Sequence, residues 1–183
     1  MAPALEVADI QALISGMITV GDFEKFHELL RGSHPFLDTV LLHSPGGDLA
    51  EAMKIGRLIR RALIRTQAPN DITDARRGQG NLESEPEMPH RGRVCEGTEC
   101  NCASACFLVW AAGIMRHGAA LGLHRPTITS AGFGSLPPDR ASVLYRQLLV
   151  DVGKYLNEME VPQRFVETMT ITPSTDIWWL NKL

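Results

Sequence analysis

Aromatic residues are few, 6% of 183 positions, and no apolar run approaches the roughly 20 residues a membrane span needs. The longest such run, Phe107 to Met115, is about half that length and reads as a buried core helix. Basic residues are not in excess. Against 21 Asp and Glu stand 18 Lys and Arg, and a net charge of −3 argues against nucleic acid as the main partner. Met1-Ala-Pro-Ala-Leu-Glu has neither a basic n-region nor an apolar h-region, so no signal peptide is visible in this chain. Two adjacent tryptophans, Trp178 and Trp179, lie close to the end, which suggests a natural chain that continues. There is no internal repeat. What is present, 44% hydrophobic and 21% charged residues, suits one globular domain over residues 1–183 with a substantial core.

Cysteine is scarce but clustered: Cys95, Cys100, Cys102 and Cys106 fall within twelve residues. The spacing C-x4-C-x-C-x3-C lacks the paired C-x2-C knuckles of common zinc sites, and no metal or other cofactor is expected. An even number packed so closely suggests disulfides and an oxidising compartment, with three possible full pairings. Reduced thiols and a metal site are the competing readings.

Apolar patterning predicts strands at Ile10–Ile14, Asp38–His43 and Ala119–Leu123. Helices are predicted over Phe23–Leu30, with Asp22 as N-cap, and from Asp48, again a capping residue, through about Ala62. Further helices are predicted over Ala103–Ala112, Pro138–Glu158 and from Pro162 to about Met169. Strand, tight turn, helix is the unit of an α/β fold with a parallel sheet. Between residues 67 and 100, prolines, glycines and charges break every periodicity, and a long exposed loop is expected there, a lid, a partner surface or a tolerated insertion.

Three segments carry chemistry. Ser44-Pro45-Gly46-Gly47 follows an apolar strand, and its glycines reach backbone conformations that let N–H groups approach and face a ligand. A helix beginning at Asp48 adds its positive dipole end. Ser104, at the next helix start, exposes a hydroxyl, with the Ala105 N–H as a second donor. His124 ends the third strand and is a candidate base, since a serine hydroxyl is a poor nucleophile until its proton is taken. Taken singly, each has a bland explanation: a serviceable turn, a small residue in a helix, a structural histidine. Their conjunction in this order is the informative part.

That order resembles the proteolytic subunit of the Clp protease. Ala103-Ser104-Ala105, Ala111-Ala112-Gly113 and Leu123-His124-Arg125-Pro126 are similar to its serine and histidine segments, over roughly residues 8–66 and 101–183. The chain looks closer still to a bacterial group of Clp-protease-like proteins, often predicted periplasmic, with a Cys-x-Ser-x-Cys motif. The resemblance implies the ClpP/crotonase fold, a spiral of β-β-α units with a long C-terminal helix. It implies a serine peptidase with Ser104 as nucleophile, His124 as base, Asp176 as triad acid, and the Gly47 and Ala105 amides as oxyanion hole. It also implies a peptide or protein substrate and a homo-oligomer, exported or periplasmic, with the cytoplasm as the other option.

Asp139 and Asp151 compete for the acid's role, but they lie on the predicted long helix. A Ser/Lys dyad, as in signal-peptide-peptidase-like relatives, would draw on Lys54 or Lys154. Two departures stand out: Ala105 replaces the family's usual methionine, and the Ser-to-His connection is shorter. On a helix Cys102 and Cys106 would share a face turned from Ser104, which favours a structural role for them. Two other functions remain open: a catalytically silent scaffold on the same fold, and a crotonase-type acyl-CoA enzyme using the two amides.

Overall fold

The computed structural model describes residues 10–33, 37–70, 101–128 and 133–180. Four parallel strands form the first sheet in the order β1 (Ile10–Ser15), β2 (Leu37–His43), β3 (Arg65–Gln67), β5 (Arg116–His117). A second sheet orders β4 (Cys102–Ala103), β6 (Leu121–Leu123), β7 (Trp178–Trp179), with β4 and β6 parallel and β7 antiparallel. The two sheets meet where Ser44, just past β2, bridges to Cys102. Helices α1 (Asp22–Ser33), α2 (Leu49–Arg61), α3 (Ala105–Ala111), α4 (Pro138–Glu158) and α5 (Gln163–Ile171) complete the described chain. The α/β architecture with a parallel sheet is the one expected. No described helix is long and apolar enough to cross a membrane.

β2 shows why the pattern worked. Leu37, Val40 and Leu42 are buried and no residue of the strand is fully exposed, as a strand covered on both faces requires. α3 is the core helix: Ala105 to Val109 and Ala111 are buried, packed against α2. At the far end of α4, Val152, Tyr155 and Leu156 close that core, and the Tyr155 hydroxyl donates to the Leu108 carbonyl at 2.7 Å.

Several expectations need correction. Cys102 and Ala103 pair with Leu121 and Gly122 as strand β4, so the helix expected from Ala103 starts at Ala105. Cys102 therefore shares no helix face with Cys106. The third predicted strand begins at Leu121, because Ala119 and Ala120 both donate to the distant Pro69 carbonyl instead of pairing in the sheet. Asp22 does not cap α1; its carboxylate reaches back to the Thr19 N–H at 2.7 Å. The Gly21 and Phe23 amides instead donate to the buried Glu51 carboxylate of α2, at 3.1 and 3.0 Å. Gln67 closes β3 rather than opening a loop, and Ala68 donates to His117. The rest of the predicted insertion, with Cys95 and Cys100, lies outside the described residues from position 71 to 100.

Candidate active site

Strands β2, β4 and β6 run parallel, and each ends in one of the three segments singled out from the sequence. In α/β folds ligands bind beyond the carboxyl ends of such strands.

The first end is the glycine turn. Ser44 is fully buried and its Oγ accepts from the Gly46 N–H at 3.1 Å. Gly46 (φ +112°) and Gly47 (φ +133°) occupy the left-handed region that residues with a Cβ rarely enter. Ile18 clamps the turn from the β1 side: its N–H donates to Gly46 at 2.7 Å, and its carbonyl accepts from Asp48 at 2.8 Å. The Asp48 side chain then accepts from the Glu51 N–H at 2.8 Å, capping α2 one residue beyond the glycines, as predicted. The sequence motif includes Ser44 without giving it a role of its own. A hydroxyl two residues ahead of a glycine amide is a known turn-forming pattern and was the available signal.

The second end is Ser104. It sits between β4 and α3 with φ +56° and ψ −122°, a strained conformation for a residue with a side chain. Such a strand-to-helix elbow lifts a hydroxyl clear of the backbone on either side. Its N–H donates to Gly122 at 2.9 Å, its carbonyl accepts from Phe107 at 3.0 Å, and the residue is half-buried. Cys102 and Cys106 form a disulfide across it, with Cα atoms 5.1 Å apart and both residues fully buried.

The turn and the elbow touch. A Cβ placed on Gly46 would lie 2.7 Å from Ser104 Cβ and 3.0 Å from the Ala105 nitrogen, so no side chain fits there. Among the described residues, neither the Gly47 N–H nor the Ala105 N–H donates to a carbonyl in a turn, loop or cap. For Ala105 this follows from its place as first residue of a helix, where no intrahelical acceptor exists.

The third end is His124. Ala103 pairs with Gly122, so Ser104 lies beside the end of β6 and His124 follows directly after that strand. The half-buried imidazole has Nδ1 3.0 Å from the carbonyl of Arg125. β7 runs back along β6, pairing Trp178 with Leu123, and so carries Asp176 to the His124 end of the strand. Asp176 is exposed, and its Oδ1 accepts from the Ile177 N–H at 2.8 Å. Among the described residues no hydrogen bond joins Asp176 to His124.

The competing groups lie elsewhere. Lys54 is bound to Glu51 at 2.7 Å, and that hydrogen bond holds its ammonium above the usual pKa, the wrong direction for a base. Lys154 is exposed on α4, Asp151 accepts from Gln147 at 2.8 Å on the same helix, and Asp139 is in its exposed first turn.

Parallel strands ending in a glycine turn, a serine elbow and a histidine, with α2 and α3 starting at the same edge, define a ClpP-like α/β fold. Among solved structures, the chain is similar to a serine-to-alanine variant of the 1510-N membrane-bound stomatin-specific protease, at TM-score 0.56 and 14% identity. That match covers 93% of this chain and 72% of the other. A lysine-to-alanine variant of the same protease, in complex with a substrate peptide, matches at TM-score 0.56 and 13% identity, covering 94% and 68%. At such identities the likeness is one of fold. No protein-family model matches the sequence, and no curated protein sequence matches it.

Proposed function

We propose that this protein is a serine hydrolase acting on peptides. One observation carries the reading: a strained serine elbow packed directly against a glycine turn, with the Gly47 and Ala105 amides on either side given no backbone acceptor among the described residues. Ser104 Oγ attacks the substrate carbonyl, His124 takes its proton, and the Gly47 and Ala105 N–H groups stabilise the oxygen that becomes negative. His124 then returns the proton to the leaving amine, and water releases the acyl group by the same route. Asp176 orients the imidazole once the Pro173–Ile177 turn closes on it; catalytic hydrogen bonds often tighten only with substrate bound. Peptide is the substrate because the similar 1510-N protease is described with a substrate peptide.

The test is labelling with a fluorophosphonate probe. Wild-type protein reacts covalently, and Ser104→Ala abolishes the reaction while keeping the far-UV spectrum. A folded wild type that resists the probe sinks the proposal.

The silent-scaffold reading is favoured by one observation, the His124 ring engaged with its own neighbour's carbonyl rather than with a carboxylate. The same experiment separates the two. We also assign the protein to the Clp-protease-like group with a Cys-x-Ser-x-Cys motif, working as a homo-oligomer in an oxidising, exported setting, where a Cys102–Cys106 bridge persists.

A further inference from the structure

We infer that the Cys102–Cys106 disulfide is a positioning device for the nucleophile, so that hydrolysis at Ser104 depends on the redox state of this one bond. The inference rests on the reading of Ser104 as nucleophile. The bridge joins the first residue of strand β4 to the second residue of α3, and Ser104 is the midpoint of the five residues from Cys102 to Cys106. Those five residues contain both chemical parts of the site contributed by this segment, the Ser104 hydroxyl and the Ala105 N–H.

A residue at φ +56° and ψ −122° relaxes toward an ordinary conformation unless its surroundings forbid it. Three things hold it. Hydrogen bonds fix its N–H to Gly122 and its carbonyl to Phe107. Gly46 presses on its Cβ side. The disulfide ties its flanks together, holding the Cα atoms of Cys102 and Cys106 5.1 Å apart. The first two are noncovalent and tolerate small rotations. The third does not. Without the bond, α3 keeps its packing against α2, because Phe107, Leu108 and Ala111 stay buried, but its first turn is free to rewind. That movement swings Oγ and the Ala105 N–H out of register with the glycine turn. A misplacement of about 1 Å at a reacting group is enough to lower a rate by about a hundredfold.

A dithiol reductant opens the bond by thiol–disulfide exchange: one thiolate displaces a cysteine sulfur, the second closes the reductant's own disulfide, and Cys102 and Cys106 are left as two thiols. Neither sulfur is accessible in the closed structure, so exchange waits on opening of the elbow, and the switch is slow.

The experiment follows fluorophosphonate labelling of Ser104 in the full chain as a function of probe concentration. Four samples are compared: oxidised wild type, wild type reduced with dithiothreitol and shown by thiol tagging to be open at Cys102 and Cys106, the reduced sample reoxidised, and Cys102→Ala/Cys106→Ala. Expected is a fall of about tenfold or more in the inactivation rate constant on reduction, with little change in half-saturating probe concentration. Reoxidation restores the rate. The double variant is slow throughout and indifferent to reductant, which assigns the effect to this bridge rather than to Cys95 or Cys100. Equal rates in the oxidised and opened wild type overturn the inference and leave the hydrolase reading intact. Loss of labelling together with loss of far-UV helicity also overturns it, since the bond would then hold the fold and not the elbow. An oxidised wild type that never labels removes both.

Discussion

Ser104 combines a Cβ with a positive φ, a conformation that costs about 1–3 kcal/mol at a residue that is not glycine. Glycine relieves that strain but has more freedom to lose on folding, which offsets about 0.5–1 kcal/mol. Ser104→Gly is therefore expected to be more stable than Ser104→Ala by about 1 kcal/mol in denaturant melts, both being inactive. Equal midpoints would mean the elbow is not strained. His43 offers a second residue-scale test. Its ring is half-buried and burial pushes its pKa below the usual 6.5, so the fold favours the neutral imidazole. Between the folded and unfolded pKa values the unfolded chain binds more protons, so stability is full above 6.5 and falls as pH drops beneath it. His43→Gln flattens that slope in urea midpoints measured from about pH 8 to about pH 5. At this scale Ser104, His124 and the glycine pair stand out in the sequence because their residue types and order are unusual together, and the fold puts them at the ends of neighbouring strands. Ser44 belongs to the same motif, but its full burial is a property of the fold that the motif does not carry.

Among the elements, α2 and α4 were legible almost to the residue, because Asp48 and the Pro137-Pro138 pair mark their starts and long apolar stripes mark their bodies. The short strands β3, β4, β5 and β7, of two or three residues each, were not. A segment that short has no period to detect, and its pairing depends on neighbours far along the chain. The Glu51 cap on α1 is a further case: it comes from another helix and overrides the local Asp22 signal. The packing of α2 on α4 is equally specific. A Cβ on Gly56 would lie 1.8 Å from the Tyr155 hydroxyl and 3.1 Å from Ala112 Cβ. That hydroxyl is fully buried and held on the Leu108 carbonyl, so moving it aside costs a buried hydrogen bond. Gly56→Ala gains about 1 kcal/mol of helix propensity yet is expected to destabilise the protein by about 1–3 kcal/mol net, read from thermal melts. A rise in melting temperature would show that Tyr155 moves aside freely.

The whole molecule leaves part of α4 without a cover. Its Val152 and Tyr155 are buried in the chain's own core and Leu148 packs against it. The exposed large apolar residues of α4 are Val143 (56% exposed), Leu144 (49%) and Val150 (48%). If the protein works as a homo-oligomer, this stretch is the natural contact, because leaving three large apolar groups in water is unfavourable. Val143→Lys/Leu144→Glu is expected to lower the assembled mass in sedimentation to that of one chain, with secondary structure unchanged. A mass that does not respond rules α4 out as the contact.

The amino-acid order by itself determined the α/β class, the two main helices and the glycine turn ahead of α2, because periodicity, caps and glycine turns are local properties. It also placed two cysteines around Ser104. Only the tertiary structure decided that the glycine turn presses on the serine, that Glu51 caps α1, and that Cys102 sits on a strand while bridging to a helix. Each of these joins segments distant along the chain or set by such pairing, and the register that brings them together is fixed by packing and hydrogen bonds that no local pattern encodes.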